Sequence, residues 1–234
     1  MPEGLGYFVV HVPDALRAKE FYGKTLGWRT GDGEDPKGYH HIEGSSPHGG
    51  ISGGAREPRI DASFLVRDAK ATVGRIRELG GSAPDPREYP SGWSAECTDD
   101  QGGRFGIWQP SADYAPAGPA KPGDGDLFYF VLPTADDGKA KRFYGALLGW
   151  EFTTGTHPRG WNIANIEPPG GLFGAGAAGP ISVYFQVPDI EAAVAAVRAA
   201  GGTADPVETN KVGWHAACRD DQGTQFYLGS LRDS

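Results

Sequence analysis

Apolar and polar residues alternate in several short runs of this chain, and a segment with helical spacing follows each run. In FVVHVP, Phe8, Val10 and Val12 are uniformly apolar whereas Tyr7, Val9 and His11 are mixed. Strand side chains alternate between faces, so the uniform set predicts the face covered by helices and the mixed set the opposite one. The same parity separates Asp61, Ser63 and Leu65 from Ala62, Phe64 and Val66, and Arg104, Gly106 and Trp108 from Phe105 and Ile107. Later in the chain the outward sets are Leu127, Tyr129 and Val131; Ser182, Tyr184 and Gln186; and Gln225, Tyr227 and Gly229. This pattern predicts curved sheets with helices on their backs and these residues in the hollows. Helical periodicity spans Asp14 to Leu26, Asp68 to Leu79, Asp137 to Leu148 and Asp189 to Ala200, each followed by a glycine. Asp14, Asp68 and Asp189 suit N-cap positions, and each glycine suits the left-handed turn past a helix end. The coarse reading is strand, helix and about three strands, four times over.

The chain also repeats itself. FYGKTLGW from Phe21 returns as FYGALLGW from Phe143, and GWSAECTDDQG from Gly92 returns as GWHAACRDDQG from Gly213, offsets of 122 and 121 residues. Asp68 and Asp189, Gly80 and Gly201, and Gly81 and Gly202 keep the 121 spacing. Two homologous units therefore lie in register, over residues 5–110 and 126–231. The segment SADYAPAGPAKPGDGD joining them lacks periodicity and reads as a Pro/Gly/Ala linker over 111–125.

Composition narrows the function. Among 234 residues, 37 Gly and 19 Pro approach the content at which chains stop packing, but 11 Phe, 9 Tyr and 6 Trp supply a core, so the glycines read as turns and close approaches. A net charge of −8 offers no counterion-release term for nucleic acid. The chain lacks an apolar run long enough to span a membrane and a basic, apolar leader, which makes a cytoplasmic protein the expectation. Two cysteines, Cys97 and Cys218, are too few for a disulfide scaffold and read as buried thiols. GGISGG and GGLFGAG lack a following helix and Lys, so they are not phosphate loops.

The fourfold pattern, the two FYG..LGW phrases, the V-x-D helix entries that end in GG, and DDQG followed by FGIWQP together resemble the vicinal-oxygen-chelate superfamily. Its members include glyoxalase I, bleomycin- and fosfomycin-resistance proteins and extradiol dioxygenases; the chain is most similar to two-domain actinobacterial glyoxalase-like proteins, often labelled hydroxylases. The resemblance covers all but the linker and termini. It implies an α+β fold of tandem glyoxalase-like domains, each of two βαβββ modules forming a curved mixed sheet with helices on the convex side. It also implies metal ligands in the first strand of a module and after the later turn. Here those positions hold Tyr7, Asp61, Leu127 or Tyr129, and Ser182, then Gly106 and Tyr227. Only Asp61 is a competent hard ligand, so no metal and no cofactor is expected.

Within the first hollow, Tyr7, His11, Asp61 and Arg104 form a candidate constellation. His11 suits a base, Asp61 its orienting charge, and Tyr7 or Arg104 a donor to a developing oxyanion. The same residues also fit an Asp61–Arg104 ion pair at a cleft wall. Ser63, Trp108, Tyr129, Tyr184 and Tyr227 are the further ligand-binding candidates, the aromatics by stacking on a flat molecule. His11, His40, His41, His48 and Asp61 raise a second metal reading, weakened because adjacent His40 and His41 point to opposite faces and His48 sits in a loop. The leading expectation is metal-independent binding of a small aromatic or polyketide-like metabolite or drug, by a monomer or homodimer without nucleic-acid or membrane partners. The alternatives are a cofactor-free lyase, isomerase or hydroxylase-like enzyme of secondary metabolism using His11 and Asp61, and a metal-dependent glyoxalase or dioxygenase. The expected asymmetry places charge in the first hollow and only stacking groups in the second.

Overall fold

The computed structural model describes residues 4–114 and 122–232. The first repeat contains β1 (Leu5–His11), α1 (Ala15–Leu26), β2 (Tyr39–Ile42), β3 (His48–Ser52), β4 (Arg59–Leu65), α2 (Ala69–Glu78), β5 (Arg87–Tyr89), β6 (Gly92–Thr98) and β7 (Arg104–Pro110). The second contains β8 (Leu127–Thr134), α3 (Asp137–Leu148), β9 (Phe152–Thr154), β10 (Gly160–Ile163), β11 (Gly170–Gly174), β12 (Ser182–Gln186) and α4 (Ile190–Ala199). It closes with β13 (Thr203–Ala204), β14 (Glu208–Thr209), β15 (Gly213–Arg219) and β16 (Gln225–Leu231). Each repeat forms one sheet, in the order β2-β3-β1-β4-β7-β6-β5 for the first and β13-β15-β16-β12-β8-β11-β10-β9 for the second, where β14 also pairs with β15. Both sheets are mixed: β4 runs parallel to β7 and β6 antiparallel to it, and β12 and β15 flank β16 in the same way.

Helix boundaries follow local chemistry. The carboxylates of Asp14, Asp68, Asp136 and Asp189 accept backbone N–H groups of the first turns. Asp136, one residue before the segment read as helical, is the cap the sequence reading did not assign. Gly27 and Gly149 end α1 and α3 at φ 70° and 69°, which a side chain would strain. The alternation predicts burial well: Phe8, Val10, Ala62, Phe64, Ile107, Phe130, Val183, Phe185, Phe226 and Leu228 are all buried. Two expectations change. After α1 only an isolated bridge between Thr30 and Ile42 precedes β3 and β2's own pairing, because Gly31 to Gly38 is turn chemistry clasped by the Lys19 ammonium on the carbonyls of Gly31 and Gly33. His48 opens β3 rather than lying in a loop.

Of the expected linker, residues 115–121 lie outside the described residues. Its far end is anchored, with Trp28 Nε1 donating to the Gly125 carbonyl at 2.9 Å and the Asp126 carboxylate accepting from Ser46 N–H at 2.9 Å.

By contacts the chain divides into two compact units. One comprises Met1–Phe8, Asp61–Pro119 and Tyr129–Ile181; the other comprises Val9–Ile60, Ala120–Phe128 and Ser182–Ser234. Each unit thus combines a module of one repeat with a module of the other, and the repeated phrases explain why. In the first unit Tyr144 donates to the Asp99 carboxylate at 3.1 Å; in the second Tyr22 donates to Asp220 at 3.0 Å. Gln101 clamps the backbone of Asp136, and Gln222 that of Asp14, each side-chain amide accepting from the N–H and donating to the carbonyl. Trp150 stacks on Tyr144 and Trp28 on Tyr22, at 5.2 and 4.7 Å. The second glycine of each GG pair gives the phenylalanine room: a Cβ at Gly81 would stand 3.2 Å from the Phe143 ring, and one at Gly202 2.9 Å from Phe21. FYG..LGW, GG and DDQG are therefore the two sides of one packing contact, made once in each unit.

Candidate functional site

In the first unit Tyr7, Asp61 and Ser63 are half-buried on β1 and β4. Tyr7 meets the Trp108 ring edge-on at 5.1 Å. Trp108 itself is buried, and its Nε1 donates to the Ser91 carbonyl at 3.1 Å, so it is a fixed wall rather than an open platform. Ser63 lies opposite Gly106 in the parallel β4–β7 ladder, and a Cβ at Gly106 would stand 2.1 Å from the Ser63 Oγ. Arg104 departs from expectation. It pairs with Glu96 at 3.5 Å, not with Asp61, because it sits at the exposed end of β7 beside the turn. Both side chains of that pair are more than half exposed, which leaves it little energetic weight. His11 is half-buried at the end of β1.

Tyr129 is half-buried over Gly171, where a Cβ would stand 2.6 Å from the phenol oxygen, and burial pushes its phenol pKa up. It is the structural counterpart of Tyr7, since β1 and β8 begin 122 residues apart at Leu5 and Leu127. By the same offset His11 corresponds to Pro133. Leu127, read as facing a hollow, is buried.

The second unit carries the richer face. Tyr184 and Tyr227 lie directly opposite each other on β12 and β16, with rings stacked at 4.6 Å and 21°. Gln225 Nε2 donates to the Tyr227 hydroxyl at 3.0 Å. Two residues farther along, Gly229 pairs with Gln186 on one side and with His215 on the other. His215 is the functional candidate the sequence reading missed. Alternation in GWHAAC, where Ala216 and Cys218 are buried, was the signal that placed it on the open face. Its Nε2 lies 3.4 Å from the Glu208 carboxylate, while Nδ1 is buried with no hydrogen-bond partner, as is Gln186 Oε1. The second face is therefore polar as well as aromatic, which corrects the expectation of stacking groups alone.

The remaining histidines divide as strand alternation requires. His40 is buried, with Nε2 2.9 Å from the Asp35 carbonyl, and His41 is half-buried with its ring 6.1 Å from that of His48. Burial, then His48, lowers the pKa of His41. Among the described residues no three His, Cys, Asp or Glu side chains cluster as a metal ion would need. Gly106 has no side chain, Tyr227 is committed to a ring stack and to Gln225, and Ser182 is a poor ligand, so the donor set does not fit the superfamily's metal. Burial pushes the thiols of Cys97 and Cys218 up to about 12, consistent with structural roles. An open cleft of about 670 Å³ at the edge of the first unit is lined by Tyr89, Trp93, Gln109 and Pro110 among others.

Residues 7–108 and 129–229 each match the family model described as a glyoxalase-like domain. The chain belongs to the glyoxalase-like domain family, within the vicinal-oxygen-chelate superfamily. Among curated proteins it is similar to the anthracycline biosynthesis protein DauV of Streptomyces sp. strain C5, with 26% identity over 267 residues, covering 100% of this chain and 95% of the relative. Among solved structures it resembles the Mn(II)-bound glyoxalase from Novosphingobium aromaticivorans, with a TM-score of 0.72 and 16% identity over 99% of this chain and 83% of that one. The 2,3-dioxygenase LapB from Pseudomonas sp. KL28 gives a TM-score of 0.70 and 15% identity, over 97% and 91% of the two chains. The structural likenesses establish the tandem α+β fold of this glyoxalase-like protein. No helix among its described residues is long and apolar enough to cross a membrane.

Proposed function

We propose that this glyoxalase-like protein binds a small, flat aromatic or polyketide-like molecule against its sheet faces without a metal. The observation that carries the reading is the Tyr184–Tyr227 stack on the second unit's face, two residues from the unpartnered Gln186 Oε1 and His215 Nδ1. Stacked, half-buried phenols offer a rigid platform of large area, and an aromatic pair adds about 0.5–1.5 kcal/mol beyond burial. The similarity to an anthracycline biosynthesis protein supports the same ligand class and a role in secondary metabolism. The donor set at the superfamily's metal positions, with Gly106 and Tyr227 in place of ligating side chains, supports metal independence.

Titration with anthraquinone-2-sulfonate, read by quenching of tyrosine and tryptophan fluorescence, tests this. Saturable binding is expected, unchanged after dialysis against EDTA and weakened about tenfold by Tyr227→Ala, equivalent to about 1.4 kcal/mol. Binding that disappears with EDTA, or that Tyr227→Ala leaves untouched, would overturn the reading.

A further inference from the structure

We infer that the row formed by Gln186, Gly229 and His215 recognises the hydroxyl groups of a hydroxylated aromatic ring, and that Phe128 is a built-in stand-in for that ring. The inference rests on the aromatic-binding reading above and specifies which aromatic molecules fit.

Gly229 lies opposite Gln186 on β12 and opposite His215 on β15. Opposed residues in adjacent strands project to the same face, so two polar side chains flank a position that has none. Strand spacing puts their Cα atoms about 10 Å apart, room for one ring between the side chains. The Phe128 ring occupies this place: its Cζ and Cε1 lie 2.6 and 2.8 Å from where a Gly229 Cβ would stand. A hydrocarbon ring offers neither neighbour a hydrogen bond.

Both neighbours lack one. The Gln186 amide nitrogen donates to the Val187 carbonyl at 3.3 Å, which leaves Oε1 buried and unpartnered. His215 Nε2 lies 3.4 Å from the Glu208 carboxylate, and its Nδ1 is buried without a hydrogen-bond partner. Two buried polar atoms without partners on residues that flank one position are unusual, because buried polar atoms are nearly always paired. Gln186 Oε1 can only accept, and a hydroxyl group, which donates and also accepts, serves it and the imidazole nitrogen alike. That selects phenols and enols over molecules bearing only carbonyl or carboxylate groups, with the Tyr184–Tyr227 stack as the adjoining wall.

The test compares anthraquinone-2-sulfonate with its 1,4-dihydroxy derivative, titrated into the full chain by fluorescence quenching. Wild type is expected to prefer the dihydroxy probe by tenfold or more. His215→Leu and Gln186→Leu should each reduce that ratio to about threefold or less, with cooperative thermal unfolding confirming that the variants fold. Phe128→Ala should tighten binding of the dihydroxy probe several-fold, because no ring need be displaced. Equal affinity of both probes for wild type, with Tyr227→Ala weakening each, would overturn the inference and leave the aromatic-binding reading standing. Absence of binding by either probe would remove both.

Discussion

At the scale of single residues, the two repeats place one glycine and one large aromatic at equivalent points of the β7 and β16 strands, in opposite order. The first has Gly106 and Trp108, the second Tyr227 and Gly229, 121 residues on. Each glycine is required by a neighbour. Gly106 makes way for Ser63, whose Cβ and Cα lie 3.0 and 3.2 Å from a hypothetical Cβ, and Gly229 makes way for Phe128. Since the serine backbone cannot retreat as a flexible side chain would, Gly106→Ala should lower stability by about 1–3 kcal/mol, read as a fall in the urea midpoint. Adding Ser63→Ala should recover part of the loss by removing the Oγ at 2.1 Å. An unchanged midpoint in the single variant would show that the ladder accommodates the methyl group. Tyr184 and Tyr227 were legible in the sequence because alternation fixes a face directly. His215 was passed over because its strand was read as a repeated phrase and not by its faces. Arg104 was placed too deep because alternation gives the face but not the distance from the strand's end.

At the scale of elements, the four helices were legible because each start and stop is local chemistry: an aspartate that accepts first-turn N–H groups and a glycine free to turn left-handed. The short strand expected after α1 was not legible as absent, since its replacement by turns depends on Lys19 reaching the carbonyls of Gly31 and Gly33. The α1 cap also has a distant partner. Asp14 binds Leu16 and Arg17 N–H with its carboxylate, while its backbone is held by Gln222 from the other repeat. Asp14→Ala should therefore cost about 1 kcal/mol through the cap, and Gln222→Ala a similar amount through two lost hydrogen bonds. Because both act on the same helix start, the double variant should lose less than the sum, a coupling of about 0.5 kcal/mol or more in a double-mutant cycle. Strict additivity would mean that the glutamine clamp and the cap are independent.

At the scale of the whole molecule, buried titratable groups set an alkaline limit. Burial pushes the Cys97 and Cys218 thiols from 9.0 up to about 12, and burial together with Asp220 and Asp99 pushes the phenols of Tyr22 and Tyr144 well above 10.0. Below pH 9 the folded and unfolded chains both keep these protons, and the groups contribute no pH dependence. Above it the unfolded chain releases protons that the folded one retains, so stability falls as pH rises. The melting temperature should thus be flat with respect to these groups up to about pH 9 and decline from there towards pH 12, where a serine at both cysteine positions should soften the first part of the decline. A melting temperature that holds constant from pH 9 to 11 would show that these groups do not shift on folding.

The pairing of repeats is the feature least legible in the sequence, because periodicity encodes which face is buried and not which segment buries it. The offsets at FYG..LGW and DDQG announced two similar halves, but both phrases meet their partners in the other half: Tyr22 with Asp220, Tyr144 with Asp99, Gln222 with Asp14 and Gln101 with Asp136. A half expressed alone would leave an α1 or α3 tyrosine hydroxyl and an aspartate carboxylate without their partners and expose the Phe21 or Phe143 ring that Gly202 or Gly81 receives. Leaving a buried Phe ring in water forfeits about 1.5–3 kcal/mol, a large share of a domain's net stability. Residues 1–114 alone should therefore not form a folded monomer. Because the phrases are repeated, Tyr22 of one copy can meet Asp99 of another in place of Asp220, so any folded material should be dimeric. Mixing 1–114 with 122–234 should restore cooperative unfolding in a 1:1 complex, since that mixture supplies the native partners. Sedimentation and thermal melts of the separate and mixed halves decide the matter, and a half that melts cooperatively as a monomer would show that the contacts between repeats are dispensable for folding.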